Sequence, residues 1–301
     1  GDCRCRCPLG QSSVSAMRDE TSLPTGAAAA APTLQRSHGR AAVGLAPGAR
    51  GVRITRLAQA GSAKAFLPRV YGSAPEIVFL NTSGGLTGGD RLSYSLDLAA
   101  RTTAVATTQT AERAYAASSG AARVDVRLTA GPGATLHWLP QETILFDRSA
   151  LARRTVIDLA ADARCVMVET IVLGRAAMGE RVAVFDVGDR REVRVGGRPV
   201  LIDPLRLSRS PASPAADPAG LDGAVAVATL AVIGKGVHDT ALAPLRAALH
   251  PLPASVRAAA SGWQDKVVMR AVASDAYALR QVVARCIGVA TQAPLPSVWA
   301  V

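Results

Sequence analysis

Between Val52 and Leu207 the chain repeats one device: a run of alternating polarity, then a break of Gly, Ala-Gly-Pro-Gly or Asp. The run "RLSYSLDL" (91–98) puts Leu92, Tyr94, Leu96 and Leu98 on one side and polar residues on the other. Side chains of a strand point alternately to its two faces, so period two makes a half-buried strand. "VRITRL" (52–57), "EIVFL" (76–80), "TTAVATT" (102–108), "RVDVRLT" (123–129) and "ATLHWLP" (134–140) read likewise. So do "RRTVIDLA" (153–160), "RCVMVET" (164–170), "RVAVFDV" (181–187), "REVRV" (191–195) and "PVLIDPLRL" (199–207). No helical pattern separates them, which argues against βαβ units and for a mainly β core of many short strands.

The loop "SRSPASPAADPAGLDG" ends this pattern. Beyond it, Ala224–Ile233 reads as a strand, and Thr240–His250 as a helix stopped by Pro251. Lys266–Ala273 reads as a strand, and Asp275–Gly288 as a helix capped by Ser274 with Asp275 in its first turn. This order predicts a small C-terminal α/β layer closing one end of the β core. Residues 1–48 are rich in Ala, Ser, Pro and Gly without periodicity and read as a disordered tail. Its Cys3, Cys5 and Cys7 either bind a soft metal or do nothing specific. One domain is expected over 49–301, with the β core at about 50–207 and the mixed α/β part at about 221–301.

The formal charge is +11, which raises nucleic acid or an anionic surface as partners. Only Lys64, Lys235 and Lys266 are lysines, no basic run stands out, and aromatics are 4% of residues, poor material for stacking bases. Acidic protein partners are expected instead, and no nucleic acid. No apolar stretch approaches the roughly 18 residues that a membrane span needs, so none is expected. "AVAVATLAVIG" (224–234) is a buried strand at that length. No apolar segment follows the early arginines as in a secretory leader, so a cytoplasmic location with reduced thiols is expected. Cys165 and Cys286 sit in apolar surroundings, as buried small hydrophobes do.

"GGLTGGD" (84–90) has the glycine spacing of a phosphate-binding loop. Asp90 stands where that loop needs Lys, and its charge repels phosphate. The next segment alternates as a strand, so no helix N-terminus faces the loop. The glycines suit a tight turn with positive φ that presents Asp90, or a purely structural hairpin. Glu142 follows Pro140 at a strand end, and Glu180 lies in "GRAAMGE" (174–180). Glu169 sits inside an apolar strand, where a carboxylate faces outward or is paired or metal-bound; Asp203, between Ile202 and Pro204, poses the same choice. His38, His137, His238 and His250 show no metal-binding spacing, and no nucleophile elbow occurs. The residues themselves offer carboxylates on a β scaffold and no apparatus for bond chemistry.

Together, "NTSGGLTGGDRL", "TTQTAERAY", "ATLHWLPQETILFD", "VLGRAAMGE" and the terminal "LPSVW" resemble the urease accessory protein UreD (UreH) family, in its order and over about residues 50–301. The chain departs from the family pattern at Thr82-Ser83, where Pro-Pro is frequent, and at Ser297, where Arg is. The resemblance implies a β-helix-like or stacked-sheet core and a scaffold, not an enzyme, in urease maturation. It implies binding to the all-helical UreF, through it to the GTPase UreG, and to urease apoprotein, with a dimeric complex through UreF as a further expectation. It implies that Ni²⁺ in transit crosses an internal tunnel, with no cofactor bound permanently. The family's acids match Asp90, Glu169 and Asp203, with Glu142 and Glu180 in its PQE and GE motifs. Oxygen donors without His clusters suit transit better than storage. The competing readings are a β-helix enzyme acting on a carbohydrate or a metal-dependent substrate, which would cluster its carboxylates in one groove, and a basic nucleic-acid-binding protein.

Overall fold

Alternating strands with short breaks wind, in this chain, into a solenoid. The computed structural model describes Gly1 and residues 35–49, 51–69, 74–175, 178–210 and 221–299. Residues 36–301 cluster as one unit. The chain enters through β1 (His38–Gly48), β2 (Gly51–Gly61) and β3 (Ala63–Phe66). Four coils follow. They are β4 (Glu76–Asn81) with β5 (Arg91–Leu98), then β6 (Thr103–Thr108), β7 (Glu112–Ala114) and β8 (Ala122–Ala130). The third coil holds β9 (Thr135–Trp138), β10 (Thr143–Leu145) and β11 (Ser149–Leu159), and the fourth β12 (Arg164–Leu173) and β13 (Phe185–Val195).

Each coil lays one strand in each of two sheets. In sheet A, β1, β5, β8, β11 and β13 are parallel neighbours in register. In sheet B, β4, β6, β9 and β12 are parallel neighbours too. A narrow third side carries Leu86 bridged to Ala114, then β7 and β10, which pairs with the end of β12. Antiparallel strands finish the edges of sheet A: β2 on β1, and β14 (Arg198–Arg209) on β13. Pro204, which has no N–H to give a ladder, lies in that edge strand.

Sheet B continues past β12 with β15 (Ala226–Ile233). The chain then forms α1 (Val237–Ala248), β16 (Val256–Trp263), β17 (Lys266–Ala273) and α2 (Ala276–Thr291). The antiparallel extension runs β15–β17–β16. Leu279, Val283 and Ile287 of α2 pack on Val168, Leu230 and Met269 from the outer face of sheet B, forming a second core. The first core lies between the sheets and holds Phe79, Leu96, Leu128, Trp138, Ile157 and Met167.

The expected β-helix-like core with a C-terminal α/β layer is the observed architecture. Three local expectations change. Residues 38–48, read as tail, form β1, an inner strand of sheet A next to the edge strand β2. Its small residues look featureless, yet Ala41, Val43 and Leu45 alternate into the core, and ladders on both sides hold them. The rest of the expected tail, with Cys3, Cys5 and Cys7, lies outside the described residues. The break expected between 187 and 191 is absent: β13 runs unbroken because Asp189, read as part of a turn, is buried against arginines. Asp275, not Ser274, caps α2, its Oδ1 accepting from the backbone N–H of Tyr277 and Ala278 at 2.8 and 3.3 Å.

Candidate functional site

Strand phase decides what lies between the sheets. In β11, Arg153 falls in phase with Leu151 and Thr155 and therefore points inward. In β13, Asp189 and Arg191 share a phase with Val187 and Val193. Charged groups are thus forced into the core and are stable there only in mutual contact. The Arg153 guanidinium donates bidentately to Asp189, Nε to Oδ1 at 3.0 Å and Nη2 to Oδ2 at 2.7 Å. The two residues are direct register partners, so the fork is set by the ladder itself. Nη1 of Arg153 donates to Thr143 Oγ1 and lies 2.9 Å from Glu169 Oε2, across the interior in sheet B. Trp138 Nε1 donates to the other Glu169 oxygen at 2.9 Å.

The line continues. Arg191 Nε lies 3.2 Å from Asp189 Oδ2, and its Nη1 lies 3.0 Å from Asp203 Oδ2. Arg270 of β17 donates to Asp203 Oδ1 at 2.8 Å, and its side chain is more than half exposed. A chain of alternating charge therefore runs Glu169–Arg153–Asp189–Arg191–Asp203–Arg270, from the core to the surface. Along it, Glu169 Oε2, Arg191 Nε and Nη1, and Asp203 Oδ2 are held by charge without an aligned hydrogen bond. These under-satisfied atoms keep directions open for another polar group.

At its inner end the chain meets a cavity of about 40 Å³ lined by Glu112, Arg153, Glu169, Tyr94 and Trp138. A second cavity of about 80 Å³ shares Glu112 and Tyr94 and is lined by Gly84, Thr110 and Arg113 of the loop side. Glu112 thus stands between the outside loops and the charge chain. Burial pushes its carboxyl up to about 7, against the lowering effect of hydrogen bonds from Arg113 N and Asn81. Burial also makes Glu169 harder to ionise, although Arg153 opposes this. For Asp189, burial is outweighed by Arg153, which holds its carboxyl below the usual range. Asp189 receives the bidentate pair and so carries the firmer charge, while Arg153 stays protonated between the two acids.

The proposed site residues separate accordingly. Glu169 and Asp203 belong to the charge chain. Asp90 does not: its Oδ1 accepts from Ser37 N at 2.7 Å and its Oδ2 from Thr87 N at 2.8 Å. Gly89 has φ +89°, and Gly84 φ +79°, as the tight turn requires. The turn does not display its acid; it uses Asp90 to fasten the entry into β1. Glu142 pairs with Arg280 Nη1 at 2.8 Å, and Glu180 with Arg175 Nε at 2.9 Å.

The last two contacts explain motifs that sequence reading left apart. Arg280 also donates to Gln141 Oε1 and lies 4.6 Å from the Trp299 ring centroid. Gln141 Nε2 donates to Val298 O, and Trp299 Nε1 to Leu139 O. The "PQE" and "LPSVW" segments are therefore one joint. Ser297 completes it by donating from N and Oγ to Glu76. On the third side, successive coils stack. Tyr115 donates to Gly84 O at 3.2 Å, Phe146 packs on Tyr115 at 4.7 Å, and Arg175 lies over Phe146 at 4.4 Å. A Cβ on Gly85 would come 2.3 Å from the Tyr115 ring.

Glu112, Arg153, Asp189 and Arg191 were not singled out from the sequence. The signal was strand phase: each arginine or acid falls on the apolar face of its own strand. Among the described residues, no group of three or more His, Cys, Asp or Glu side chains could hold a metal ion. No helix among them is long and apolar enough to cross a membrane.

Comparison with known proteins gives one result. The family model described as "UreD urease accessory protein" matches residues 37–300. A protein of Cereibacter sphaeroides named urease accessory protein UreD is 55% identical over 266 residues, covering 88% of this chain and 96% of that protein. One of the same name from Jannaschia sp. is 49% identical over 90% of this chain and 98% of its own length. One from Agrobacterium fabrum is 44% identical over 82% and 85%.

Proposed function

The chain belongs to the UreD urease accessory protein family, whose members are chaperones and not catalysts, and from that premise we propose that it matures urease by binding partners and conducting nickel. It binds UreF, engages UreG through UreF, and docks on urease apoprotein in the cytoplasm. Ni²⁺ is its cargo and is not retained.

The observation that carries the nickel role is the polar line from the Glu112 cavities to Arg270. A divalent ion in transit needs donors that hold it weakly and in sequence. Carboxylate oxygens meet that need better than thiolates or clustered imidazoles, which release nickel slowly. A buried carboxylate must also be compensated when no ion is present. In the interior of this chain, arginines compensate it. As a cation approaches Glu169 or Asp203, it competes with Arg153, Arg191 or Arg270 for the same oxygens, and Glu169 Oε2 and Asp203 Oδ2 are those without an aligned donor. The arginines thereby keep each site shallow. Asp90, Glu142 and Glu180 serve the same reading from outside the line, as acids that hold its loops.

The test is co-production with urease subunits, UreF and UreG. Glu169→Gln and Asp203→Asn should assemble with UreF as wild type does, yet lower the nickel bound per urease active site several-fold. Full nickel loading with both variants refutes the passage. Equal urease activation with this chain omitted refutes the maturation role.

A further inference from the structure

The outer face of sheet A carries a charge pattern that the interior passage does not use. In-register pairing sets its outward side chains in rows. Toward β13 and β14 the face is self-compensated: Arg190 and Arg194 reach Glu192, and Arg206 reaches Asp186 at 2.6 Å. The other half differs. Arg40, Arg53, Arg56, Arg91, Arg123 and Arg127 stand exposed on β1, β2, β5 and β8, and none makes an ion pair or side-chain hydrogen bond among the described residues. Only Asp97 and Asp125 share that half. Arg91 and Arg123 are direct register partners. Like charges opposite one another on neighbouring strands destabilise a sheet, so this arrangement costs the free protein stability. Between the arginines the floor is small, with Ser93 and Ser95, and grooves of about 600 and 480 Å³ open there.

We propose that this arginine half of sheet A is the docking face for a carboxylate-rich surface of urease apoprotein. The assignment rests on the maturation role given above. A seven-stranded face is about 29 Å across at ordinary strand spacing. Its strands are locked in register across the face, a breadth that fits a folded surface. Urease is the client that must leave once matured, and charged, wet contacts favour fast encounter over tight retention. Asp97 and Asp125 among the arginines would repel a phosphate polymer, and no aromatic side chain points outward there to stack bases. A protein surface with carboxylates and a few cations complements the mixture.

The triple variant Arg91→Ser, Arg123→Ser, Arg127→Ser tests this, because exposed serines on outward positions leave both cores untouched. Binding of the full chain to purified urease apoprotein is measured at 50 and 300 mM NaCl, with circular dichroism and UreF binding as controls on the fold. At 50 mM the variant should raise Kd about tenfold or more and lose most of the salt dependence that wild type shows, while UreF binding is unchanged. Unchanged Kd for urease apoprotein overturns the docking face and leaves the maturation role standing. Tighter wild-type binding to a random 20-bp DNA duplex than to urease apoprotein overturns it in favour of a polyanion. If wild type binds neither urease apoprotein nor UreF, the maturation role fails and the docking face falls with it.

Discussion

Arg153 of sheet A and Glu169 of sheet B meet across the interior at 2.9 Å, and Asp189 takes the remaining two guanidinium nitrogens. One arginine thus keeps two buried carboxylates in the core.

Its removal strands Glu169 and leaves Asp189 to Arg191 alone. Arg153→Leu should lower unfolding free energy by about 3–5 kcal/mol, the usual cost of an uncompensated buried charge. Adding Glu169→Gln and Asp189→Asn should recover most of that loss. Urea denaturation of the single and triple variants decides; a triple variant no more stable than the single would show that packing, not charge, sets the cost.

Asp90 staples a turn to the start of β1. Asp90→Ala removes two charge-assisted hydrogen bonds to backbone N–H groups, and should destabilise by about 3 kcal/mol. Its signature is local: hydrogen exchange should rise at Ser37 and Thr87. Lower nickel transfer in a variant with unchanged exchange would instead make Asp90 part of the passage.

Glu112 couples stability to pH. Its folded value of about 7 exceeds the ordinary 4.5, so the folded state binds a proton more readily than the unfolded chain between those values. The associated stability is complete below pH 4.5 and is lost as pH rises through 7. Relative to Glu112→Gln, wild type should lose about 3 kcal/mol over that window. A constant difference between the two proteins at pH 4.5 and pH 7.5 would contradict the half-buried placement of the carboxyl between the two cavities.

Arg280 ties the C-terminal segment to the coils. Arg280→Leu breaks its contacts with Gln141, Glu142 and the Trp299 carbonyl. A loss of about 1–2 kcal/mol is expected, with faster proteolysis after Leu295 and red-shifted tryptophan fluorescence. Unchanged proteolysis would mean that the contacts of Ser297, Val298 and Trp299 anchor the segment without Arg280.

Much of this was legible in advance. β5 occupies the very residues that alternation assigned, because a strand with one buried face needs no tertiary information to announce its period, and β17 fills the residues read as a strand from its apolar run. β1 was not legible: Ala and Gly carry little contrast between faces, and only the ladders to β2 and β5 select a strand. The five acids were visible as residues, but their fates were not. Glu169 and Asp203 entered the charge chain, Asp90 became a turn staple, and Glu142 and Glu180 became partners of Arg280 and Arg175.

Local sequence determined the strand period, the breaks and, among the described residues, the absence of α-helices from the coils, since each is encoded within a few residues. Tertiary structure alone decided which charges share the interior. Arg153 and Glu169 lie on different sheets, 16 positions apart in the chain, and what made them partners is the solenoid winding, which stacks successive coils and turns matching strand phases toward a common core.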